Sequence, residues 1–225
     1  MSLISGTYPN TRVEGRERLR AYIQTTMIDH GIVRLLYGHR FQVTEHYWRS
    51  SQPGPLKLRG MRDRGIRTVI NLRGQRPDCG SFVLERDACR TLGLSLVNHP
   101  MRSRKVPKRD VVLGAIDLLQ TVEYPVLVHC KTGTDRAGFM TVLYLHVVEG
   151  VPIDRALNAL SWRYGHVRTA RTGHLTAFFK AYQEHVQHRS LTLREWVAEE
   201  YDPDTLNFTS TRWSNFLVDR ILQRE

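Results

Sequence analysis

His129-Cys130-Lys131-Thr132-Gly133-Thr134-Asp135-Arg136 sets a nucleophile and a fixed cation at a spacing suited to phosphate chemistry. Cys130 follows an apolar run, Pro125-Val126-Leu127-Val128, and Arg136 precedes Ala137-Gly138 and a further apolar, helix-like stretch. This order predicts a strand, a tight loop and a helix. Successive backbone N–H groups of such a loop form an anion-binding concavity, and the helix N-terminus adds its dipole. A guanidinium can hold two phosphate oxygens at once. From this composition, His-Cys followed by Arg at this spacing is expected by chance only about 0.02 times. The competing structural explanation is a buried thiol beside an ion-pairing arginine.

The elements that must position this loop can be read from periodicity. Residues 15–37 read as a two-part helix, with Leu19, Tyr22, Ile23, Met27 and Ile28 at helical spacing and Gly31 interrupting. Arg16, Arg18, Arg20 and Arg34 lie among them, so the helix can rest on an acidic membrane surface or pack on its own domain. Strands are expected over 41–49, 67–72, 94–99 and 125–129, and helices over about 55–64, 84–92, 111–122, 138–149, 153–164, 173–188, 191–200 and 212–223. Strands alternating with helices, then a helical half, argue an α/β fold with a mainly parallel central sheet flanked by helices. Such sheets place their sites at strand carboxyl ends, where Cys130 falls. The expected organisation is an N-terminal amphipathic helical segment (1–40), one domain (41–188) and a C-terminal helical extension packed on it (189–225).

The chain of 225 residues carries a formal net charge of +11, with Arg supplying 28 of the 33 basic residues. A high-GC genome would give such a bias without function; a surface that attracts anions is the functional alternative. No recognised nucleic-acid motif accompanies the charge, which makes nucleic acid the least favoured partner. Cys79, Cys89 and Cys130 form neither a paired framework nor metal-ligand spacing, and a reducing compartment fits best. No secretory signal opens the chain. The expected location is cytoplasmic, with peripheral membrane contact through the basic N-terminal helix as an open alternative.

His-Cys, five residues, Arg resembles the signature of the cysteine-dependent phosphatases. Tyr47-Trp48-Arg49-Ser50-Ser51-Gln52-Pro53 and Val69-Ile70-Asn71-Leu72-Arg73-Gly74 look like the entry to bacterial members of the dual-specificity branch, and the resemblance spans roughly residues 41–185. It implies a dual-specificity phosphatase-like fold and metal-independent phosphomonoester hydrolysis through a phosphocysteine, with no cofactor. Cys130 would attack phosphorus as a thiolate, stabilised by the loop N–H groups, the helix N-terminus and Arg136. Arg136 and the N–H groups of Lys131, Thr132, Gly133, Thr134, Ala137 and Gly138 would stabilise charge in the transition state. His129 is either a loop-orienting residue or a satisfied strand-end histidine.

The leaving oxygen needs a proton, usually from a carboxylic acid. Family members often carry an aspartate on a mobile upstream loop. Here that loop, residues 100–107, holds Arg102, Arg104 and Lys105 and no acid. Asp110 follows, at a helix start where the dipole alone explains a carboxylate. Asp135 is favoured, because Asp-Arg at this place is similar to myotubularins and to some bacterial phosphatases with lipid-directed activity. It can equally serve as a loop-stabilising acceptor. Ala137 stands where many members carry Ser or Thr, which places phosphocysteine turnover on Thr132 or Thr134 if either substitutes.

Lys131 also resembles phosphoinositide-directed members. Arg102, Arg104, Lys105, Lys108, Arg109, Arg163, Arg168 and Arg171, with Arg49 and Arg73 at strand ends, would make a cationic mouth if they converge. The expected substrate is a phosphorylated protein or an anionic phospholipid or phosphoinositide. A phosphate-binding module that has lost catalysis is the alternative of a different class.

Overall fold

The computed structural model describes residues 15–27, 40–167, 169, 171–187 and 189–206. Five strands, β1 (Arg40–Gln42), β2 (Tyr47–Ser50), β3 (Thr68–Asn71), β4 (Ser95–Asn98) and β5 (Val126–His129), form one sheet in the order β1-β2-β5-β3-β4. β1 is antiparallel to β2; the other pairings are parallel. The helices are α1 (Gly15–Met27), α2 (Pro55–Arg62), α3 (Gly80–Leu92), α4 (Arg109–Thr121), α5 (Asp135–Leu143), α6 (Ile153–Ala156), α7 (His174–Val186) and α8 (Leu193–Glu199).

The strands alternate their side chains between two cores. Val69 and Leu127 join Leu58, Met61, Ile66, Ala88 and Cys89 under α2 and α3. Ile70, Val126 and Val128 join Val112, Ile116, Phe139, Met140, Phe178 and Phe179 under α4, α5 and α7. A sheet covered on both faces favours consecutive apolar residues, hence Val69-Ile70 in β3 and Val126-Leu127-Val128 in β5. Each such side chain, fully buried, contributes about 1.5–3 kcal/mol. The loop after β5 therefore starts from the central strand of the sheet, paired on both sides by β2 and β3.

Local chemistry sets the helix ends. Pro55 opens α2 at a position that needs no N–H donor. Gly93, with φ 68°, caps α3 in the left-handed region. Thr192 and Glu195 form a reciprocal capping box at α8. α8 joins the larger core through Leu193, Trp196 and Val197, and Tyr201 follows it there. Arg109 donates to the carbonyls of Ala198 (2.9 Å) and Tyr201 (2.6 Å), while the Tyr201 hydroxyl donates to the Pro107 carbonyl (2.7 Å).

At the other end of the chain, α1 buries Ala21 against Gly80 at the start of α3. A Cβ on Gly80 would lie 2.3 Å from the Ala21 carbonyl oxygen. Arg16, Leu19, Arg20, Tyr22 and Ile23 are exposed. Among the described residues no helix is long and apolar enough to cross a membrane.

Two expectations are corrected. The strand over 41–49 is two strands, because the N–H groups of Val43 and Thr44 turn back onto the Tyr47 carbonyl. The helix over 153–164 stops at Ala156 and gives way to 3₁₀ turns. The Leu160 N–H closes a tighter turn onto the Leu157 carbonyl, Leu160 leaves helical geometry at φ −106° and ψ 66°, and the Ala159 carbonyl accepts from the Arg49 guanidinium instead. The second part of the N-terminal helix and the helix over 212–223 lie outside the described residues.

Candidate active site

The loop from Cys130 to Arg136 leaves the carboxyl end of β5 and turns directly into α5. The Gly133 N–H donates to Cys130 Sγ at 3.2 Å. Gly133 has φ 79°, and a Cβ there would meet the Ser50 carbonyl carbon at 2.5 Å and the Ser51 nitrogen at 2.6 Å. Only glycine fits both the conformation and the contact.

The end of β2 and the residues just after it support the loop from behind. Arg49 is fully buried, and its guanidinium donates to the carbonyls of Gly133 (3.2 and 2.9 Å), Thr134 (2.8 Å) and Ala159 (2.8 Å). It also lies 4.7 Å over the Tyr164 ring. Gly138 leaves the space: a Cβ there would sit 3.1 Å from the Ala159 oxygen and 3.2 Å from an Arg49 nitrogen. Holding the Gly133 and Thr134 carbonyls outward turns the N–H groups of Thr134 and Asp135, on the same peptide planes, toward the concave side. The Gln52 N–H donates to the Lys131 carbonyl at 3.2 Å. Burial pushes the Arg49 guanidinium below its ordinary pKa, while nearby Tyr47, Cys130, Tyr164 and Asp135 act the other way. Arg49 was expected at a cationic mouth; it lies instead behind the loop, with its donors spent on carbonyls.

A second buried network supports the strand end. His129 Nε2 lies 2.5 Å from Glu85 Oε1, a close pairing that is not aligned as a hydrogen bond. The other Glu85 oxygen accepts from Gln52 Nε2 at 2.9 Å, and Gln52 Oε1 accepts from Arg73 at 2.9 Å. Arg73 also reaches the Ser81 hydroxyl at 3.3 Å. Arg73, named with the candidate supporting or substrate-binding residues, takes the supporting place.

Asp135 is buried at the first position of α5. His166 Nδ1 donates to Asp135 Oδ1 at 2.7 Å, and His166 Nε2 lies 2.9 Å from the Thr176 hydroxyl. All three side chains are buried. Asp135 was expected either to act on the leaving group or to pair with Arg136 or a neighbouring N–H; the histidine partner was not foreseen. Ala137 and Thr134 are buried, and Lys131 and Thr132 half-buried.

Arg136 approaches the Met101 carbonyl at 3.5 Å, which brings the basic 100–107 loop against the phosphate loop. On it Arg102 and Lys105 are exposed and Arg104 is half-buried. Asp110 is exposed in the first turn of α4. Arg109, counted with the cationic mouth, pins α8 instead. Arg163 is exposed; Arg168 lies outside the described residues.

Sequence reasoning missed Glu85 and Thr176, and took His166 only as one of the basic residues around Arg163, Arg168 and Arg171. Glu85 had a signal, since it shares the inward face of α3 with Ser81, Ala88 and Cys89 at helical spacing. Cys89 belongs to the opposite core from Cys130, and burial pushes its thiol up. All three cysteines are free.

A family model described as a DSP-PTPase phosphatase fused to NAD+ kinase matches residues 39–174. A putative tyrosine-protein phosphatase OCA1 of Mycosarcoma maydis is 33% identical over 101 residues, 43% of this chain and 61% of that protein. The match thus spans less than two thirds of the relative's length. Among solved structures, P. aeruginosa TpbA superposes with a TM-score of 0.52 at 21% identity, covering 63% of this chain and 83% of TpbA. Its complex with pTyr gives 0.53 at 20% identity, covering 71% and 90%. A mutant form of Tk-PTP gives 0.53 at 19% identity, covering 66% and 96%. These likenesses establish the fold.

Proposed function

Because the chain belongs to the family of DSP-PTPase phosphatases fused to NAD+ kinase, and so to the cysteine-dependent phosphatases, we propose that it hydrolyses phosphomonoesters through a phosphocysteine on Cys130. The observation that carries this reading is the Gly133 N–H at 3.2 Å from Cys130 Sγ, in a loop whose carbonyls Arg49 holds from behind. The N–H is thereby placed to stabilise charge on the attacking sulfur and on the sulfur that leaves in the second step.

In the first step the Cys130 thiolate attacks phosphorus in line as the bond from phosphorus to the leaving oxygen breaks. Asp135 gives that oxygen its proton. Arg136 and the loop N–H groups neutralise charge on the equatorial oxygens. In the second step water attacks the phosphocysteine, Asp135 takes the water proton back, and the S–P bond breaks to return the thiolate. The Gly133 N–H can receive the departing thiolate, a role that the hydroxyl of Ser or Thr fills where Ala137 stands here.

The substrate is a phosphorylated protein in the first reading, supported by the pTyr complex of TpbA, a protein of the same fold. A lipid head group is the second reading. It is favoured by the half-buried Lys131 within the loop and by exposed Arg102 and Lys105 on a segment that touches Arg136.

Hydrolysis of an aryl phosphate, undiminished by chelator and lost in Cys130→Ser, tests the reaction. A wild type without activity would leave a phosphate-binding module as the alternative. Comparing phosphotyrosyl peptides with phosphoinositide head groups then tests the substrate. Lys131→Ala should lower kcat/KM roughly tenfold on a head group bearing a second phosphate and little on a peptide.

A further inference from the structure

The partner of Asp135 decides which of its oxygens can carry a proton. A carboxyl oxygen that accepts a strong hydrogen bond is a poor place for a hydrogen, so the proton goes to the other oxygen. His166 Nδ1 donates to Oδ1 at 2.7 Å, with the imidazole buried and held at its far nitrogen by Thr176. A threonine hydroxyl both donates and accepts. It therefore satisfies Nε2 of the neutral ring, and would equally satisfy a protonated ring, without movement. With Nε2 accepting from Thr176, the ring hydrogen sits on Nδ1, the tautomer that donates to Asp135.

We propose that His166 is the positioning residue for proton transfer by Asp135. It fixes the carboxyl through Oδ1 so that Oδ2 delivers the proton to the leaving oxygen and takes one back from water. This rests on Asp135 being the general acid. The proton balance closes within Asp135, and His166 keeps its Nδ1 hydrogen throughout. Arg49 senses Asp135 and Cys130 electrostatically from β2. Arg136 follows Asp135 in the chain, and His174 opens α7, the helix that carries Thr176. His166 and Thr176 lie outside the loop, and His166 reaches it through Asp135.

A position-specific pair of amides tests the idea. His166→Asn places an amide nitrogen where Nδ1 stood and keeps the donor to Asp135. His166→Gln places one where Nε2 stood and keeps only the Thr176 side. Each is compared with the wild type and Asp135→Asn on two substrates. Phenyl phosphate has a leaving oxygen about as basic as tyrosine, pKa about 10, and needs the acid. 4-Nitrophenyl phosphate has a far less basic one and needs it little.

Asp135→Asn and His166→Gln should each lose on the order of 100-fold in kcat on phenyl phosphate and less than about fivefold on 4-nitrophenyl phosphate, with KM little changed. His166→Asn should stay within about fivefold of wild type on both. If Asp135→Asn shows the leaving-group effect but His166→Asn and His166→Gln behave alike, the positioning role is overturned and the acid assignment stands. If Asp135→Asn shows no leaving-group effect, the acid assignment fails and the inference fails with it. A general packing defect would lower both substrates equally and would also overturn it.

Discussion

Glu85 and His129 face each other 2.5 Å apart, and neither side chain reaches solvent. A pairing so fully enclosed makes the strand end before Cys130 depend on a residue of a different helix. The pair in turn leans on Gln52, whose own N–H holds the Lys131 carbonyl. The loop is thus supported from β2 and from α3.

Glu85→Ala should be costly, because it leaves His129 and Gln52 facing an empty, polar-lined space. Breaking one partner of a buried pair costs about 3–5 kcal/mol, or roughly 6–20 °C in Tm for a chain of this size. Glu85→Gln keeps an oxygen for Gln52 and should cost about half as much. Thermal unfolding followed by circular dichroism gives both values; equal melting of the two variants would count against the pairing.

Arg49→Lys should damage the loop although charge is preserved. A lysine ammonium cannot span the carbonyls of Gly133, Thr134 and Ala159 from a planar fork. We expect kcat/KM on an aryl phosphate to fall on the order of 100-fold, and orthovanadate to inhibit more weakly by a similar factor. Retained vanadate affinity would mean that the N–H groups stay aimed without the clamp.

Gly133→Ala adds strain and collision together. The alanine must hold φ near 79° while its Cβ meets backbone atoms of Ser50 and Ser51. The loop must shift, and the N–H on Cys130 Sγ shifts with it. Activity should drop at least about 100-fold while Tm falls by only a few degrees, since the collision is confined to the loop. Unchanged turnover would show that sulfur does not need this donor.

Acid should destabilise the protein in part through His99. Its side chain is half-buried with Nε2 at 3.0 Å from the Val111 carbonyl, and burial pushes its pKa below the ordinary 6.5 while that hydrogen bond opposes the shift. The unfolded chain then binds the proton at higher pH than the folded one. Stability from this group is fully present above about 6.5 and declines as pH falls toward the folded value. His174 is pushed the same way by burial. His99→Gln should therefore reduce, without abolishing, the loss of unfolding free energy between about pH 7.5 and 5.5 in urea titrations. An unaltered slope would exclude His99 as a source.

Periodicity found the sheet because β3 and β5 are buried on both faces and carry consecutive apolar residues, Val69-Ile70 and Val126-Leu127-Val128. The loop was legible because Cys130 and Arg136 stand at a fixed short spacing between an apolar strand and a helix start. What escaped the sequence was contact across long separations. Nothing local marks Arg49 as facing inward, since an arginine at a strand end reads as exposed until its three carbonyl partners, 84 to 110 residues away, are in place. His166 looked like part of a basic stretch for the same reason. Its carboxylate is 31 residues earlier and its hydroxyl a helix later.

The Tyr201 hydroxyl on the Pro107 carbonyl has a practical meaning for how this protein is cut. Pro107 ends the segment whose other end touches Arg136 through Met101. A fragment trimmed where the family match ends, at residue 174, would discard Trp196 and Tyr201 from the core and leave that segment tethered on one side. The shortest piece expected to hold its phosphate pocket in shape runs past Tyr201, and a shorter one would register as a poor enzyme for reasons unrelated to its chemistry.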